Sequence, residues 1–136
     1  MTERSTLIDS SVLLDVLTAD PTWSAWSQTQ VANAYDRGSV FINPIIYAEV
    51  STGFARIEDL DAALPIGDFA REPLPFEAGF LAGKAFLSYR RRAGTRHAPL
   101  PDFYIGAHAA VRGHRLLTRD PVRVRTYYPG VELICP

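Results

Sequence analysis

The 136-residue sequence contains one cysteine, Cys135, so no intramolecular disulfide can form. Long hydrophobic runs are also missing, because Asp, Glu, Gly or Pro interrupts each apolar stretch well short of the roughly 20 residues that span a bilayer. The residues before Leu7 are polar and do not resemble a secretory signal. We therefore expect a cytoplasmic protein with no membrane partner.

Lysine is almost absent: Lys84 is the only one, and the other basic residues are arginines. Residues 1–70 carry three arginines against ten acidic residues, whereas residues 71–136 carry ten arginines and Lys84 against five. The charge is therefore segregated along the chain although the net charge is −1. Arginine suits bidentate contact with phosphate, so a phosphate-bearing partner and an ordinary solvated surface are both open interpretations.

Several catalytic and nucleotide-binding motifs are missing as well. The three histidines, His97, His108 and His114, form no HExxH pattern and have no cysteine near them, which argues against a zinc site. No GxGxxG, GxxxxGK[ST] or GxSxG motif occurs, which removes the signatures of dinucleotide binding, P-loops and nucleophile elbows.

The composition is that of a globular domain, with 47% hydrophobic and 21% charged residues. Apolar and β-branched runs predict short strands at residues 6–8, 40–42, 71–74, 115–118 and 131–134. Helical patterns lie between them, at residues 12–17, 21–38, 44–54, 57–64, 75–92 and 101–113. Asp120 and Pro121 are expected to turn the chain. This alternation predicts an α/β fold with helices on both faces of a mainly parallel sheet of four to five strands, in a single domain over residues 1–136.

Three aspartates lie at the ends of predicted strands or at the start of a helix, where α/β proteins often bind ligands. Asp9 ends the first predicted strand, Asp120 follows the fourth, and Asp102 stands in the first turn of its helix. Taken singly, each is also explained as a helix cap, a turn residue or a favourable charge at a helix start.

Glu49 is harder to explain as a surface residue. With 100° per residue it lies at 40° from Ile45, inside the apolar face of its helix, and no Lys or Arg occurs from Gly38 to Ala55 to pair with it locally. Asp15, by the same construction, falls in a gap between apolar positions, and we expect it to face solvent.

If the first and fourth strands are neighbours, the three aspartates converge at one edge of the sheet and Glu49 can reach them. An all-carboxylate cluster repels itself unless a hard divalent cation such as Mg²⁺ or Mn²⁺ balances the charge. Such an ion activates water and neutralises charge on a phosphoryl oxygen, so the cluster favours phosphodiester hydrolysis.

The sequence resembles the PIN-domain ribonucleases, and more narrowly the VapC toxins of prokaryotic toxin–antitoxin pairs, over its whole length. The matching segments, in order, are residues 7–14, 47–50, 100–109 and 116–120. Their acids are separated by 40, 53 and 18 residues. One such segment would be weak support, but four in order are specific.

The resemblance implies a three-layer α/β/α PIN-like fold and a Mg²⁺- or Mn²⁺-dependent endoribonuclease. It implies metal ligation centred on Asp9 and Asp102, with Glu49 and Asp120 completing the pocket and Ser10 and Thr118 at the family's hydroxyl positions. It also implies a VapB-like antitoxin that blocks the pocket, a homodimer, and a cellular RNA substrate such as transfer RNA or ribosomal RNA.

Arginines are the candidates for RNA contact. Arg119 is favoured because it lies between Thr118 and Asp120. The further candidates are Arg90, Arg91, Arg92 and Arg96, although arginines at a helix C-terminus are also explained as a solvated helix end. Two other functions remain in competition. One is a non-catalytic module whose acidic pocket docks a basic segment of a partner. The other is a phosphatase or a receiver domain, both of which use carboxylates at strand ends with Mg²⁺; a receiver domain would also need a lysine near the pocket, and Lys84 is the only one.

Overall fold

The computed structural model describes residues 4–93 and 99–136 and shows five short strands alternating with helices. The strands are β1 (Thr6–Ile8), β2 (Val40–Ile42), β3 (Ala70–Arg71), β4 (Arg115–Leu117) and β5 (Leu133–Ile134). The helices are α1 (Ser10–Leu17), α2 (Ser24–Arg37), α3 (Pro44–Ser51), α4 (Ile57–Ala63), α5 (Phe76–Ala93), α6 (Tyr104–Arg112) and α7 (Val122–Tyr127), with a 3-10 helix at Leu100–Phe103. Among the residues described, no helix is both long enough and apolar enough to cross a bilayer.

The sheet has the order β3-β2-β1-β4-β5, and every pairing is parallel. Strand β1 lies in the middle, with Leu7 opposite Phe41 of β2 and Leu116 of β4. Leu7 and Ile8 are fully buried, as expected for a parallel strand covered by helices on both faces. The predicted α/β/α architecture, and the pairing of the first strand with the fourth, are therefore confirmed.

The bounds of several elements differ from the sequence prediction: the strand predicted at residues 71–74 is Ala70–Arg71, and the helix predicted at residues 101–113 is a 3-10 helix followed by α6. Helix α2 begins at Ser24 rather than Pro21, because the Asp20 carboxylate accepts hydrogen bonds from the backbone N–H of Thr22 and Trp23 and forms a separate turn first. An additional helix, α7, occupies the segment where only a turn was predicted. Six residues are too few for an isolated helix, so burial of Val124 against the core must stabilise it.

Close packing of α6 fixes the segment that carries Asp102. A Cβ atom added at Gly106 would lie 2.6 Å from Tyr128 Cδ2 and 3.4 Å from Val124 Cγ2. The Tyr128 hydroxyl donates a hydrogen bond of 3.0 Å to the carbonyl of Phe103, one residue after Asp102. The absence of a side chain at Gly106 therefore permits this close approach, because the buried Tyr128 ring occupies the space that a side chain would take.

Substituting this glycine separates packing from helix propensity. Gly106→Ala should destabilise the fold by about 1–3 kcal/mol, because the rigid Tyr128 ring has to move. Gly83→Ala, at an exposed position of α5 with no atom within 4 Å of the added Cβ, should instead stabilise it by about 1 kcal/mol. Urea unfolding of both variants checks this, and equal effects of the two substitutions would contradict it.

Candidate active site

Four carboxylates from four different segments line one cavity of about 470 Å³. Asp9 follows β1, Glu49 lies on α3, Asp102 on the 3-10 helix and Asp120 after β4. We call these four residues and their cavity the acidic pocket. Because β1 and β4 are adjacent and parallel, their carboxyl ends bring Asp9 and Asp120 to the same edge of the sheet. The structure thus brings together all four acids that were singled out in the sequence.

Hydroxyl groups hold two of these carboxylates in place. Asp9 Oδ2 accepts hydrogen bonds from Ser11 Oγ at 2.9 Å and from Thr118 Oγ1 at 2.8 Å. Thr118 Oγ1 also accepts the backbone N–H of Asp120 at 3.0 Å, so one hydroxyl connects the ends of β1 and β4. Ser10 Oγ donates to Glu49 Oε1 at 2.8 Å. Ser10 and Thr118 therefore lie where the resemblance implied, beside the acids.

Ser11 is a site residue that the sequence prediction did not name. Its hydroxyl binds Asp9 and also accepts the backbone N–H of Arg119 at 3.3 Å. The one signal available in the sequence was its position directly after Asp9 and Ser10 at the end of a strand.

Glu49 is held in an environment that disfavours its charge. Burial raises the pKa of Glu49, and the charges of Asp9 and Asp102 raise it further, while the Ser10 hydrogen bond acts in the opposite direction. The half-buried position agrees with the apolar face predicted for this residue. The pocket therefore carries more negative charge than its surroundings compensate.

Arg123 supplies a positive charge close to the acidic pocket. Its Nη1 lies 3.4 Å from Asp102 Oδ2, and its guanidinium stacks over the rings of Phe103 at 5.1 Å and Tyr89 at 5.6 Å. The two aromatic rings fix the guanidinium beside the pocket rather than in free solvent.

The prediction that Asp15 faces solvent is wrong. Asp15 is 3% exposed, and its Oδ2 accepts hydrogen bonds from Ser27 Oγ at 2.8 Å and Arg119 Nε at 2.6 Å. Helix α2 packs across α1 and covers the gap that the helical wheel left open. Arg119 lines the acidic pocket as expected, but its side chain is engaged with Asp15 and with the ring of Trp23 at 5.2 Å.

Arg90, Arg91 and Arg92 do not line the acidic pocket. Arg92 lines a neighbouring groove of about 800 Å³ that shares Arg119, Asp120 and Arg123 with the acidic pocket. Arg90 and Arg91 are exposed on α5 and line neither cavity. Arg96 lies outside the described residues.

Lys84 does not lie at the pocket. It is exposed on α5, where its Nζ lies 5.1 Å from the centre of the Phe80 ring. A receiver domain needs a lysine at the acidic pocket, and the position of Lys84, the only lysine in the sequence, therefore argues against that interpretation.

The donors of the acidic pocket fit a hard divalent cation. Carboxylate and hydroxyl oxygens are the ligands that Mg²⁺ and Mn²⁺ prefer, and the uncompensated charge around Glu49 favours a cation there. Another group of metal-ligand side chains lies outside the acidic pocket. Among residues 4–93 and 99–136, its ligand atoms all lie within 4.8 Å of one another, and its members are Glu72, His108 and His114.

Comparison with known families places the chain in a class. The model of the PIN domain family matches residues 6–127, and the chain belongs to the PIN domain family. The resemblance inferred from the sequence is therefore confirmed. Comparison with curated protein sequences gives no significant match.

Solved structures of toxin–antitoxin proteins share this fold. VapBC2 from Rickettsia felis, bound to a promoter DNA fragment, has a TM-score of 0.74 at 13% identity, covering 97% of this chain and 98% of that one. VapBC-1 from nontypeable Haemophilus influenzae gives 0.71 at 15%, covering 96% and 97%. VapC20 of Mycobacterium tuberculosis, described as a sarcin-ricin loop cleaving toxin, gives 0.63 at 13%, covering 89% and 94%.

Removing the charge of Glu49 tests the electrostatics of the pocket. Because the pKa of Glu49 is raised, the folded state binds its proton more tightly than the unfolded state, so ionised Glu49 destabilises the fold at neutral pH. Glu49→Gln should raise Tm by a few degrees at pH 7 in EDTA. This gain in Tm should shrink as the pH falls toward about 4.3, the ordinary pKa of glutamate.

A matched substitution is Glu77→Gln, at an exposed glutamate in the first turn of α5. It should leave Tm unchanged or lower it slightly, since a negative charge there favours the helix. Calorimetric Tm values that fall for Glu49→Gln would contradict the proposed repulsion.

Proposed function

We propose that this protein is a divalent-metal-dependent endoribonuclease that acts as the toxin of a toxin–antitoxin pair. The acidic pocket carries the proposal, because four carboxylates converge there at the carboxyl edge of a PIN-family sheet. Its substrate would be structured cellular RNA, such as transfer RNA or ribosomal RNA, cut at a phosphodiester bond. The description of the similar Mycobacterium tuberculosis toxin as cleaving the sarcin-ricin loop supports this substrate class.

Asp9 and Asp102 would hold Mg²⁺ or Mn²⁺, with Glu49 and Asp120 completing the ligand set. The bound cation would supply a Lewis acid that neutralises charge developing on phosphoryl oxygens and makes water a stronger nucleophile. The donor set and the excess negative charge described above support this assignment.

The side chains around the acids have roles of their own in this proposal. Ser11 and Thr118 orient Asp9, and Ser10 orients Glu49 through its Oε1. Glu49, oriented by Ser10 at the wall of the acidic pocket, is placed to accept a hydrogen bond from the attacking water. Arg123, packed against the rings of Phe103 and Tyr89, places a positive charge where a phosphate would approach Asp102.

Neutralising Asp9 or Asp102 should abolish cleavage while the fold persists. Purified protein free of any antitoxin should cut total cellular RNA into discrete fragments with Mg²⁺ or Mn²⁺ and not with EDTA. Asp9→Asn and Asp102→Asn should each lower the rate by at least about 100-fold, because cation stabilisation is worth several kcal/mol. Asp36→Asn, at an exposed aspartate of α2, is the control and should cleave normally.

A folded, partner-free protein that cuts no RNA with either metal would overturn the proposal. The second candidate, a non-catalytic module that docks a basic segment of its partner, would then be favoured. One contact supports that candidate: the guanidinium of Arg123 already lies beside Asp102.

The groove beside the acidic pocket is the proposed path of the RNA strand. Arginine and tyrosine side chains line it together: Tyr89, Arg92, Arg119, Arg123 and Tyr127. The Arg92 guanidinium lies 5.8 Å from the centre of the Tyr127 ring. This mixture suits phosphate contacts and base stacking on a single strand.

Two neighbouring arginines of α5 test this path. Arg92 lines the groove and Arg91 does not, although both are exposed in the last turn of the same helix. Arg92→Gln should weaken RNA binding in EDTA and reduce the salt slope by about 0.7, the value for one phosphate contact on a single strand. Arg91→Gln should have the smaller effect. Equal slopes for both variants, measured by fluorescence anisotropy, would contradict the proposed path.

The partners follow from the same proposal. Because the similar structures include VapBC complexes, we propose a VapB-like antitoxin that covers the acidic pocket, and a homodimer of this chain. Co-purification with the product of a neighbouring short reading frame, followed by restored cleavage after its removal, would support both the partner and the activity.

A further inference from the structure

A second buried polar cluster lies apart from the acidic pocket. Asn43 and His108 are 2% and 0% exposed, and Asn43 Nδ2 lies 2.9 Å from His108 Nδ1. His108 Nε2 and His114 Nε2 lie 2.6 Å and 2.7 Å from the same oxygen, Glu72 Oε1. We call these four residues the histidine network. Ser5 Oγ, 2.5 Å from His114 Nδ1, continues it to the start of β1.

The position of each proton on His108 follows from its neighbours. Asn43 caps α3, and its Oδ1 accepts the backbone N–H of Ile46 at 2.9 Å, so its amide nitrogen must face His108. That nitrogen donates, and His108 Nδ1 therefore carries a lone pair. The ring proton is on Nε2, where it is donated to Glu72.

This proton arrangement excludes the simplest alternative, a metal site. A metal ion at Glu72 and His108 would need the lone pair of Nε2, and the ring proton would have to move to Nδ1, against the amide protons of Asn43. The ligand-type atoms are close enough for an ion, but the hydrogen bonds make the cluster a connection between elements.

The connection joins α3, which carries Glu49, to α6, which directly follows the 3-10 helix that carries Asp102. Asn43 begins α3 six residues before Glu49, and His108 lies on α6 six residues after Asp102. Helices α3 and α6 pack against each other, and the Asn43–His108 hydrogen bond crosses between them. Glu72, after β3, fixes the far side of the His108 ring.

We propose that the Asn43–His108 hydrogen bond, held by Glu72, is a positioning device that sets Glu49 relative to Asp102. The proposal rests on the nuclease function proposed above. It requires neutral His108, because a second proton on Nδ1 would set two donors against each other and separate the helices.

Burial outweighs the charge of Glu72 and keeps His108 neutral. Burial lowers the pKa of His108, and His114 and Arg112 act in the same direction, while Glu72 opposes them. Burial also raises the pKa of Glu72, but the hydrogen bonds from His114 and His108 outweigh it and hold that pKa below its ordinary value. Because the folded state resists protonation of His108, neutral His108 contributes to the free energy of unfolding above about pH 6.5. This contribution is lost as the pH falls below that value.

Two substitutions of Asn43 separate the helix cap from the connection. Asn43→Ser keeps a good capping residue but is too short to reach His108. Asn43→Asp keeps both the cap and the reach, and presents an oxygen to Nδ1. His108 would then take a second proton, which cancels the added negative charge of the aspartate.

The expected results are a loss with serine and a rescue with aspartate. Asn43→Ser should lower kcat for RNA cleavage at least about tenfold with KM unchanged, because a displacement of catalytic groups by about an ångström greatly slows the reaction. Asn43→Asp should restore most of kcat and move the acid limb of the pH profile to lower pH. Asp20→Ser, at a side chain that accepts backbone N–H groups in the turn before α2 and lies outside the network, should leave kcat unchanged.

Two further measurements keep the proposal testable apart from cleavage. In the wild-type protein, nitrogen NMR of the imidazole rings should show His108 protonated at Nε2 alone. Mn²⁺ titration calorimetry should show weaker binding for Asn43→Ser and recovery for Asn43→Asp. If the wild-type protein cuts no RNA but these Mn²⁺ affinities follow the pattern, the nuclease function fails and the positioning role stands.

Other outcomes overturn the positioning role itself. Asn43→Ser with wild-type kcat would do so, as would Asn43→Asp with the same loss as Asn43→Ser. If Asn43→Ser does not fold, a ring proton on Nδ1 of His108 in the wild-type protein would still refute the proposed proton arrangement.

Discussion

Repulsion among four carboxylates at one edge of a parallel sheet is the constraint around which the rest of this structure is arranged. The order β2-β1-β4 puts the ends of β1 and β4 side by side, so Asp9 and Asp120 cannot separate without breaking the sheet. Hydroxyls of Ser11 and Thr118 hold Asp9, and the backbone of Asp120 is bound to Thr118. The fold thus provides fixed hydrogen-bond donors at the point where like charges gather, and it leaves excess negative charge that the proposed cation would balance.

The segregated charge of the sequence has a structural counterpart. The acidic first half supplies Asp9, Glu49 and the buried Asp15, whereas Arg119 and Arg123 come from the basic second half. Arg119 pairs with Asp15 behind the pocket and Arg123 contacts Asp102 at its rim. Folding therefore sets charges of opposite sign around the pocket, which supports both the proposed ligand set and the proposed path of an RNA strand.

The structure contains two polar networks: the hydroxyl network of Ser10, Ser11 and Thr118, and the histidine network. The hydroxyl network acts directly on carboxylates of the pocket, and the histidine network lies deeper, between α3 and α6. Each connects segments that are far apart in the sequence: Thr118 reaches Asp9, and His108 reaches Asn43. Buried polar groups are costly unless satisfied, so both networks hold their helices to a narrow set of positions.

The sequence by itself determined the α/β class, the parallel sheet and the four acids, because strand alternation, caps and an unpaired Glu49 on an apolar face are local patterns. It did not determine the surroundings of Asp15, since a helical wheel describes one helix and cannot show that α2 covers it. Nor did it give the partner of Arg123, the additional helix α7 or the histidine network. These depend on contacts between residues distant in sequence, and only tertiary packing, which buries some side chains and brings others within hydrogen-bond distance, decides them.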